Sequence, residues 1–309
     1  MKILVTGGAG FVGSILVPLL LEEGHNITVI DNLMYHQESL LGYARYKNLN
    51  FILGDVRDEA VMKPAVHNAD VIIHLAAIVG EPACRMRADL ATTVNLQASK
   101  TLNDLRSKNQ ALIFASTGSN YGKVDNICTE ETPLSPVSLY GVTKTEAEKI
   151  FREKGNYVIC RFATGFGIST RLRLDLLPND FTFKAVHERF LAVYEKDFRR
   201  TFIHVRDMAK AFSFTITHFP EMKDNVYNVG HESMNLSKED LVNKIKGKVD
   251  FEAHFAPIGH YPDPRTYEVS YEKIRKLGFI TDISMDEGID ELVRAFRMMR
   301  VISPHSNLI

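Results

Sequence analysis

The sequence predicts an α/β protein built on a Rossmann-type, doubly wound parallel sheet, with a smaller mixed C-terminal lobe. Two observations predict the sheet. Short, nearly continuous apolar runs alternate with longer helical patterns through the first half, and a glycine-rich turn joins the first run to the first helical pattern. The loss of that alternation after about residue 165 predicts the second lobe.

Ile3 to Thr6 is the first expected strand, and its continuous apolar character suits a parallel strand buried on both faces. Phe11 to Glu23 is the first helix, with Gly24 placed to close it. Ile27 to Ile30, Asn50 to Leu53 and Val71 to Leu75 repeat the strand pattern. Leu90 to Lys108 then reads as a helix, carrying Leu90, Val94, Leu96, Leu102 and Leu105. Ala111 to Phe114 and Tyr157 to Cys160 are the next strands, with a second long helical stretch, Leu139 to Phe151, between them. Beyond them Pro178, Pro220, Pro257, Pro262 and Pro264 punctuate less periodic segments. No Gly/Ser-rich or charged tract separates the halves, so residues 1–165 are expected as the sheet domain and 166–309 as a lobe interleaved with it.

Apolar residues make up 45% and charged residues 24% of the 309, which excludes disordered, collagen-like and disulfide-scaffold classes. The 37 basic and 38 acidic side chains leave a net charge of -1, so no global field draws in nucleic acid or a membrane surface. An anionic ligand must be held by a local site. Cys84, Cys128 and Cys160 have no CxxC or histidine spacing, which argues against a disulfide framework or a zinc site. No metal is expected, and a reducing cytoplasm fits best. Neither a secretory signal nor the ~18-residue apolar run of a membrane helix is expected.

Thr6-Gly7-Gly8-Ala9-Gly10-Phe11-Val12-Gly13 lies where a strand passes into a helix. Gly7 suits the tight turn, Gly10 lets a pyrophosphate approach the backbone, and Gly13 lets helix and strand pack closely. Asp31 ends the second strand, where a carboxylate binds ribose hydroxyls and repels a 2′-phosphate, so NAD is expected rather than NADP. The competing readings are a glycine turn without a ligand and a helix-capping role for Asp31. Asp55-Val56 follows the third strand, and Asp55 is expected at the adenine amino group. Leu75-Ala76-Ala77 follows the fourth strand, its small residues leaving room for the cofactor. His74 is expected as a packed strand residue. Tyr140 and Lys144, four apart on one helix face, form an acid–base pair in which the lysine cation favours phenolate.

With the cluster Ala115-Ser116-Thr117-Gly118-Ser119-Asn120-Tyr121-Gly122 at the end of the fifth strand, the sequence resembles the extended short-chain dehydrogenase/reductases of the nucleotide-sugar epimerase/dehydratase family. The resemblance spans essentially the whole chain and implies a nucleotide-sugar substrate. By motif, Thr117 corresponds to the hydroxyl that holds the reacting sugar hydroxyl, with Ser116 as the alternative, Tyr140 to the base and Lys144 to its partner. Asn95 corresponds to the asparagine that braces the active-site loop. The implied NAD site comprises Gly7, Gly10, Phe11, Val12, Gly13, Asp31, Asn32, Asp55, Val56, Leu75, Ala76, Ala77, Asn95, Ala115, Tyr140 and Lys144. On the substrate side, Thr164 follows Arg161-Phe162-Ala163, and Arg200 in Arg200-Thr-Phe-Ile-His-Val-Arg-Asp207 corresponds to a diphosphate clamp. His204 and Asp207 in that segment are expected as structural. Arg265 corresponds to a second diphosphate ligand and Asn179 to a nucleotide contact, while Arg171 and Arg173 are either phosphate ligands or surface charges. The resemblance also implies a homodimer in which Leu90–Lys108 and Leu139–Phe151 pair across a two-fold axis, with Leu102, Leu105 and Ile150 in the shared bundle.

One departure bears on the reaction. Family dehydratases carry an Asp-Glu pair directly after the catalytic threonine, because eliminating water needs an acid and a base. Gly118 and Ser119 stand there instead, so a 4,6-dehydratase is not expected. The expected reaction is NAD-dependent oxidation of a GDP- or UDP-linked hexose or heptose at C4 to a 4-keto sugar, with a 4-epimerase as the alternative. The segments RLRLDLLPNDF, FRRTFIHVRD and DPRTYEVS are most similar to the GDP-linked heptose 4-dehydrogenase branch. A redox-sensing regulator that binds NAD without turnover is the competing class. Such proteins lose the tyrosine or the lysine, and both are intact here.

Overall fold

Every apolar run of the first half forms a strand of one parallel sheet in the computed structural model, which describes residues 1–256 and 266–299. That half runs β1 (Lys2–Thr6), α1 (Gly13–Glu22), β2 (Asn26–Asp31), β3 (Leu49–Leu53), α2 (Glu59–His67), β4 (Val71–His74), α3 (Glu81–Met86), α4 (Ala88–Thr92), α5 (Ala98–Leu105), β5 (Ala111–Thr117), β6 (Lys123–Cys128), α6 (Leu139–Lys154) and β7 (Tyr157–Phe162). The remainder runs β8 (Thr164–Phe166), α7 (Leu177–His187), β9 (Phe190–Tyr194), β10 (Arg199–His204), α8 (Val205–Thr217), α9 (Phe219–Met222), β11 (Asn225–Val229), β12 (Asn235–Ser237), α10 (Lys238–Lys246), β13 (Glu252–Ala256), β14 (Thr266–Val269), α11 (Glu272–Arg275) and α12 (Met285–Met298).

The seven strands lie in the order β11-β7-β5-β4-β1-β2-β3, all parallel. The chain leaves β1 toward β2 and later returns to β4 on the other side of β1. This reversal opens a crevice at the carboxyl ends of β1 and β4, where ligands of such sheets bind. Strand alternation sends Ile3 and Val5 to one face, against Leu16, Val17 and Leu20 of α1, and Leu4 to the other, beside Phe114, Leu102 and Phe151. Each such side chain, fully buried, contributes about 1.5–3 kcal/mol. β11 comes from the second half and completes one sheet edge, and α8 packs on α1. A separate apolar core gathers Phe181, Phe202, Leu241, Ile289 and Phe296 in the remaining segments, beside the short sheet β12-β10-β8. No helix among the described residues is long and apolar enough to cross a membrane.

Three details differ from the sequence reading. β3 is the free sheet edge, so Phe51 is 38% and Leu53 68% exposed instead of buried on both faces. The single helix expected over Leu90–Lys108 is α4 and α5 joined by a π-helical turn, Thr93–Gln97, and it stops at Leu105. Leu102 is wholly buried in its own chain's core, so it cannot serve a bundle shared with a second subunit. Gly24 does close α1, with φ of +81° and its N–H bonded to the Leu21 carbonyl.

Phe114 lies at the centre of this packing, its ring 4.8 Å from that of Phe151 and 5.9 Å from that of His74. Phe114→Ala should therefore lower the unfolding free energy by about 3–5 kcal/mol in urea titrations, with an unchanged slope. A loss below about 1 kcal/mol would contradict the packing described.

Candidate active site

The glycine turn is dictated by close approach. At Gly7, whose φ is +72°, a Cβ would stand 2.7 Å from the Ala76 backbone, and at Gly13 one would stand 2.4 Å from the Gly8 carbonyl oxygen. A Cβ at Gly10 would meet only the Gly7 carbonyl, at 3.1 Å, so its other side is open to the crevice. Asp31 is not a helix cap. Its carboxylate accepts the N–H groups of Ala9 (3.0 Å) and Leu33 (2.9 Å), tying the glycine turn to the end of β2. Burial raises its pKa above the ordinary carboxylate value. Asp55 accepts from Asn32 Nδ2 at 3.0 Å and from both arms of Arg57 at 2.8 Å, and the Arg57 hydrogen bonds hold its pKa down at about 2.

These residues line one cavity of about 680 Å³, near the middle of the range for small-molecule sites. Gly7, Gly10, Phe11, Val12, Gly13, Asp31, Asn32, Asp55, Val56, Leu75, Ala76, Ala77 and Ala115 all reach it. Asn95 does not. It stands behind the wall, where its amide exchanges hydrogen bonds with the backbone of Ile78 (2.8 and 3.0 Å) and donates to Thr143 Oγ1. It therefore braces the loop after β4 instead of touching a ligand. His74 is a buried strand residue, bonded to Thr6 Oγ1 at 2.7 Å, and burial lowers its pKa to about 3.

The hydroxyl cluster and the Tyr140–Lys144 pair come from β5, the turn after it, and α6. Ser138 caps α6 by accepting the Gly141 N–H, and Tyr140 and Lys144 then face the cavity one turn apart. Lys144 is only 2% exposed, its Nζ 4.3 Å from the centre of the Phe114 ring. Burial pulls its pKa down to about 7. Thr117 donates to Ser119 Oγ at 2.9 Å and accepts the Ser119 N–H at 3.1 Å. Ser116 also reaches the cavity, but its hydroxyl donates to the buried Glu148 carboxylate at 2.5 Å. Its proton is committed to structure, whereas Thr117 and Ser119 are the other hydroxyls of the cluster on the cavity.

The second half of the chain supplies the opposite wall. Thr164, Arg171, Arg173 and Arg200 line it. Arg171 lies 4.6 Å from the centre of the Tyr35 ring, and neighbouring Thr170 donates to the Ser39 carbonyl, so this segment folds over the loop that follows Asp31. Arg173 pairs with Asp175 at 2.5 Å. Asn179 is wholly buried and off the cavity wall. Its amide is spent on the backbones of Gly167 and Arg173, so it shapes the wall and does not meet the nucleotide. Arg265 lies outside the described residues. His204 and Asp207 are buried at the start of α8, where Asp207 accepts the N–H groups of Asp282 and Ile283.

The sequence reading missed Ser119, Lys184 and Lys238, which also line the cavity. Ser119 had a signal, its place in the hydroxyl cluster. Lys184 lies on α7 and Lys238 opens α10, and only the packing of the second half brings them here. With Arg171, Arg173 and Arg200 they make a cationic wall suited to a diphosphate.

Residues 3–230 match the family described as NAD dependent epimerase/dehydratase. Among curated proteins, the chain is 29% identical to the low-salt glycan biosynthesis protein Agl12 of Haloferax volcanii, over 95% of this chain and 97% of that one. It is 30% identical to a UDP-glucose 4-epimerase of Halalkalibacterium halodurans, over 90% and 89%. Its fold superposes on the Thermus thermophilus UDP-glucose 4-epimerase solved with NAD, at a TM-score of 0.83 and 24% identity, covering 96% of this chain and 99% of that one.

Two outcomes are expected. Asp31→Ala should weaken NAD binding roughly tenfold or more in a titration, since a hydrogen bond to a charged group is worth ~1.5–3 kcal/mol, and unchanged affinity would contradict the assignment. The second concerns Lys144. Between its folded pKa of about 7 and the ordinary 10.5, the unfolded chain binds more protons at this residue, so its contribution to stability rises with pH across that window and is least favourable below it. Urea titrations of the free protein should show wild type gaining stability relative to Lys144→Met as pH rises from about 7 to 10. A pH-independent difference would contradict a desolvated lysine.

Proposed function

The chain belongs to the NAD dependent epimerase/dehydratase family and is an enzyme whose cofactor is NAD, and from that premise we propose that it oxidises a nucleotide-linked sugar at C4 to the 4-keto sugar. The observation that carries this reading is the meeting of Thr117, Tyr140 and Lys144 on the cavity that also holds the glycine turn, with no acid–base pair after Thr117.

The residues present fit the cofactor: crowded Gly7 and Gly13, open Gly10, and the fixed carboxylate of Asp31 form a cradle for a dinucleotide. When bound, NAD supplies the nicotinamide ring that accepts hydrogen and an electron pair from the sugar carbon. Thr117 holds the reacting hydroxyl, with its own proton directed to Ser119 Oγ. Tyr140 takes the hydroxyl proton, and the positive charge of Lys144 favours the phenolate that accepts it. Arg200 and the neighbouring cations hold the diphosphate and fix which carbon faces Tyr140. Gly118 is crowded against a side chain at the position of a dehydratase acid: a Cβ there would stand 3.3 Å from the Tyr267 ring.

The segments around Arg171, Arg200 and Tyr267 favour the GDP-linked heptose 4-dehydrogenase branch for this chain. The 30% identity to a UDP-glucose 4-epimerase favours the second reading, in which the 4-keto sugar turns over in the pocket and is reduced on its other face. In both, residues 1–165 carry the cofactor and the reacting groups while 166–309 hold the sugar nucleotide, and the enzyme works as a homodimer. Three buried, unpaired cysteines favour a cytoplasmic setting.

A panel of GDP- and UDP-linked hexoses and heptoses, with products identified by NMR, tests the reaction. A 4-keto sugar accumulating with reduced cofactor is expected. A C4 epimer without net reduced cofactor would establish the epimerase, and a 6-deoxy-4-keto product would overturn both. Tyr140→Phe should lower turnover by ~10²–10⁴ while NAD binding persists, and Thr117→Ala should cost less.

A further inference from the structure

Five acidic side chains line the cavity, and four are engaged. Asp31 accepts backbone N–H groups, Asp55 pairs with Arg57, Asp175 with Arg173, and Asp180 with Lys184. Glu81 differs. Its Oε2 is buried, yet no hydrogen-bond partner is found for it among the described residues. A polar oxygen withdrawn from water without a partner is costly, and a protein keeps one where a ligand completes the bonding.

The position of Glu81 says which ligand. It opens α3, which packs against α6, the helix of Tyr140 and Lys144. Cys84, one turn further along α3, feels the charges of both Glu81 and Lys144. Gly80, immediately before it, has its Cβ position 3.9 Å from the Arg173 guanidinium. Glu81 thus stands on the side of the cavity that Tyr140 and Lys144 line.

We propose that Glu81 is a specificity-determining residue, whose carboxylate accepts a hydrogen bond from a hydroxyl of the bound sugar and repels sugars that carry a carboxylate of their own. A neutral, hydroxyl-bearing sugar supplies the missing donor. A uronate supplies none and brings a second negative charge into a poorly hydrated wall. The inference rests on the nucleotide-sugar reading above and adds the class of sugar.

Calorimetric titration of the NAD-loaded enzyme with UDP-glucose against UDP-glucuronate, and with GDP-mannose against GDP-mannuronate, tests it. Wild type should prefer the neutral member of the binding pair by roughly tenfold or more. Glu81→Gln, which keeps size and hydrogen bonding but removes charge, should narrow that preference roughly tenfold, with NAD affinity unchanged. Its melting temperature without ligand should match that of wild type, since the substitution keeps the side chain's size and breaks no hydrogen bond found among the described residues. An unchanged preference, or an effect on NAD affinity instead, would overturn the role of Glu81 while leaving the nucleotide-sugar reading intact. Failure of wild type to bind either pair or any hexose or heptose of the wider GDP- and UDP-linked panel would overturn that reading, and the inference with it.

Discussion

The buried ion pair between Glu148 and Arg161 sets the geometry on which the site depends. Tyr140, Lys144 and Glu148 recur every fourth residue along one face of α6, so fixing the third fixes the other two. Arg161, on β7, grips both oxygens of Glu148 through Nε and Nη2, the latter at 2.8 Å. The same carboxylate accepts from Ser116 at the end of β5 and from Asn120 in the turn beyond it. One acidic group thus binds the tyrosine helix to the strand end that presents Thr117. A buried pair of this kind is weak evidence for net stability, because desolvation offsets most of the attraction, but removing one partner costs about 3–5 kcal/mol. Its contribution here is register. Arg106 acts similarly at the other end of α6, its guanidinium donating to the carbonyl of Gly155 at 2.8 Å.

Above that clamp, Lys144 occupies a dry position that works against its charge. The Phe114 ring beneath it offers a cation–π contact, yet burial outweighs the nearby negative groups. A lysine poised near neutrality changes its charge readily as ligands enter, and this suits a partner for a tyrosine that must lose and regain a proton. The apolar core under the sheet therefore does more than hold the fold. It sets the electrostatic environment around Lys144 and its helix neighbour Tyr140.

The local features were legible in the sequence and the distant ones were not. Gly7, Gly10, Gly13 and Asp31 were readable because strand, turn and helix follow one another within a single supersecondary unit. Tyr140 and Lys144 were readable because helical spacing puts them on one face. Lys184, Lys238 and Glu81 carry no such pattern, since the tertiary packing of three separate helices decides which lysines and which glutamate face the cavity. Asn179 shows the converse: a polar residue in a motif-like segment turned inward because two backbone segments needed its amide. Leu102 and the exposed Phe51 and Leu53 follow the same logic, for an apolar residue announces that it packs, but not against what.

In the proposed reaction these groups act on the C4 hydroxyl of a nucleotide sugar, and the hydrogen on C4 leaves with the cofactor. A nucleotide sugar deuterated at C4, turned over once by the NAD-loaded enzyme, tests it most directly by mass spectrometry of the recovered cofactor and sugar. Deuterium on the cofactor and a 4-keto sugar without it are expected. Deuterium retained in the sugar, with the cofactor unlabelled, would contradict this reaction.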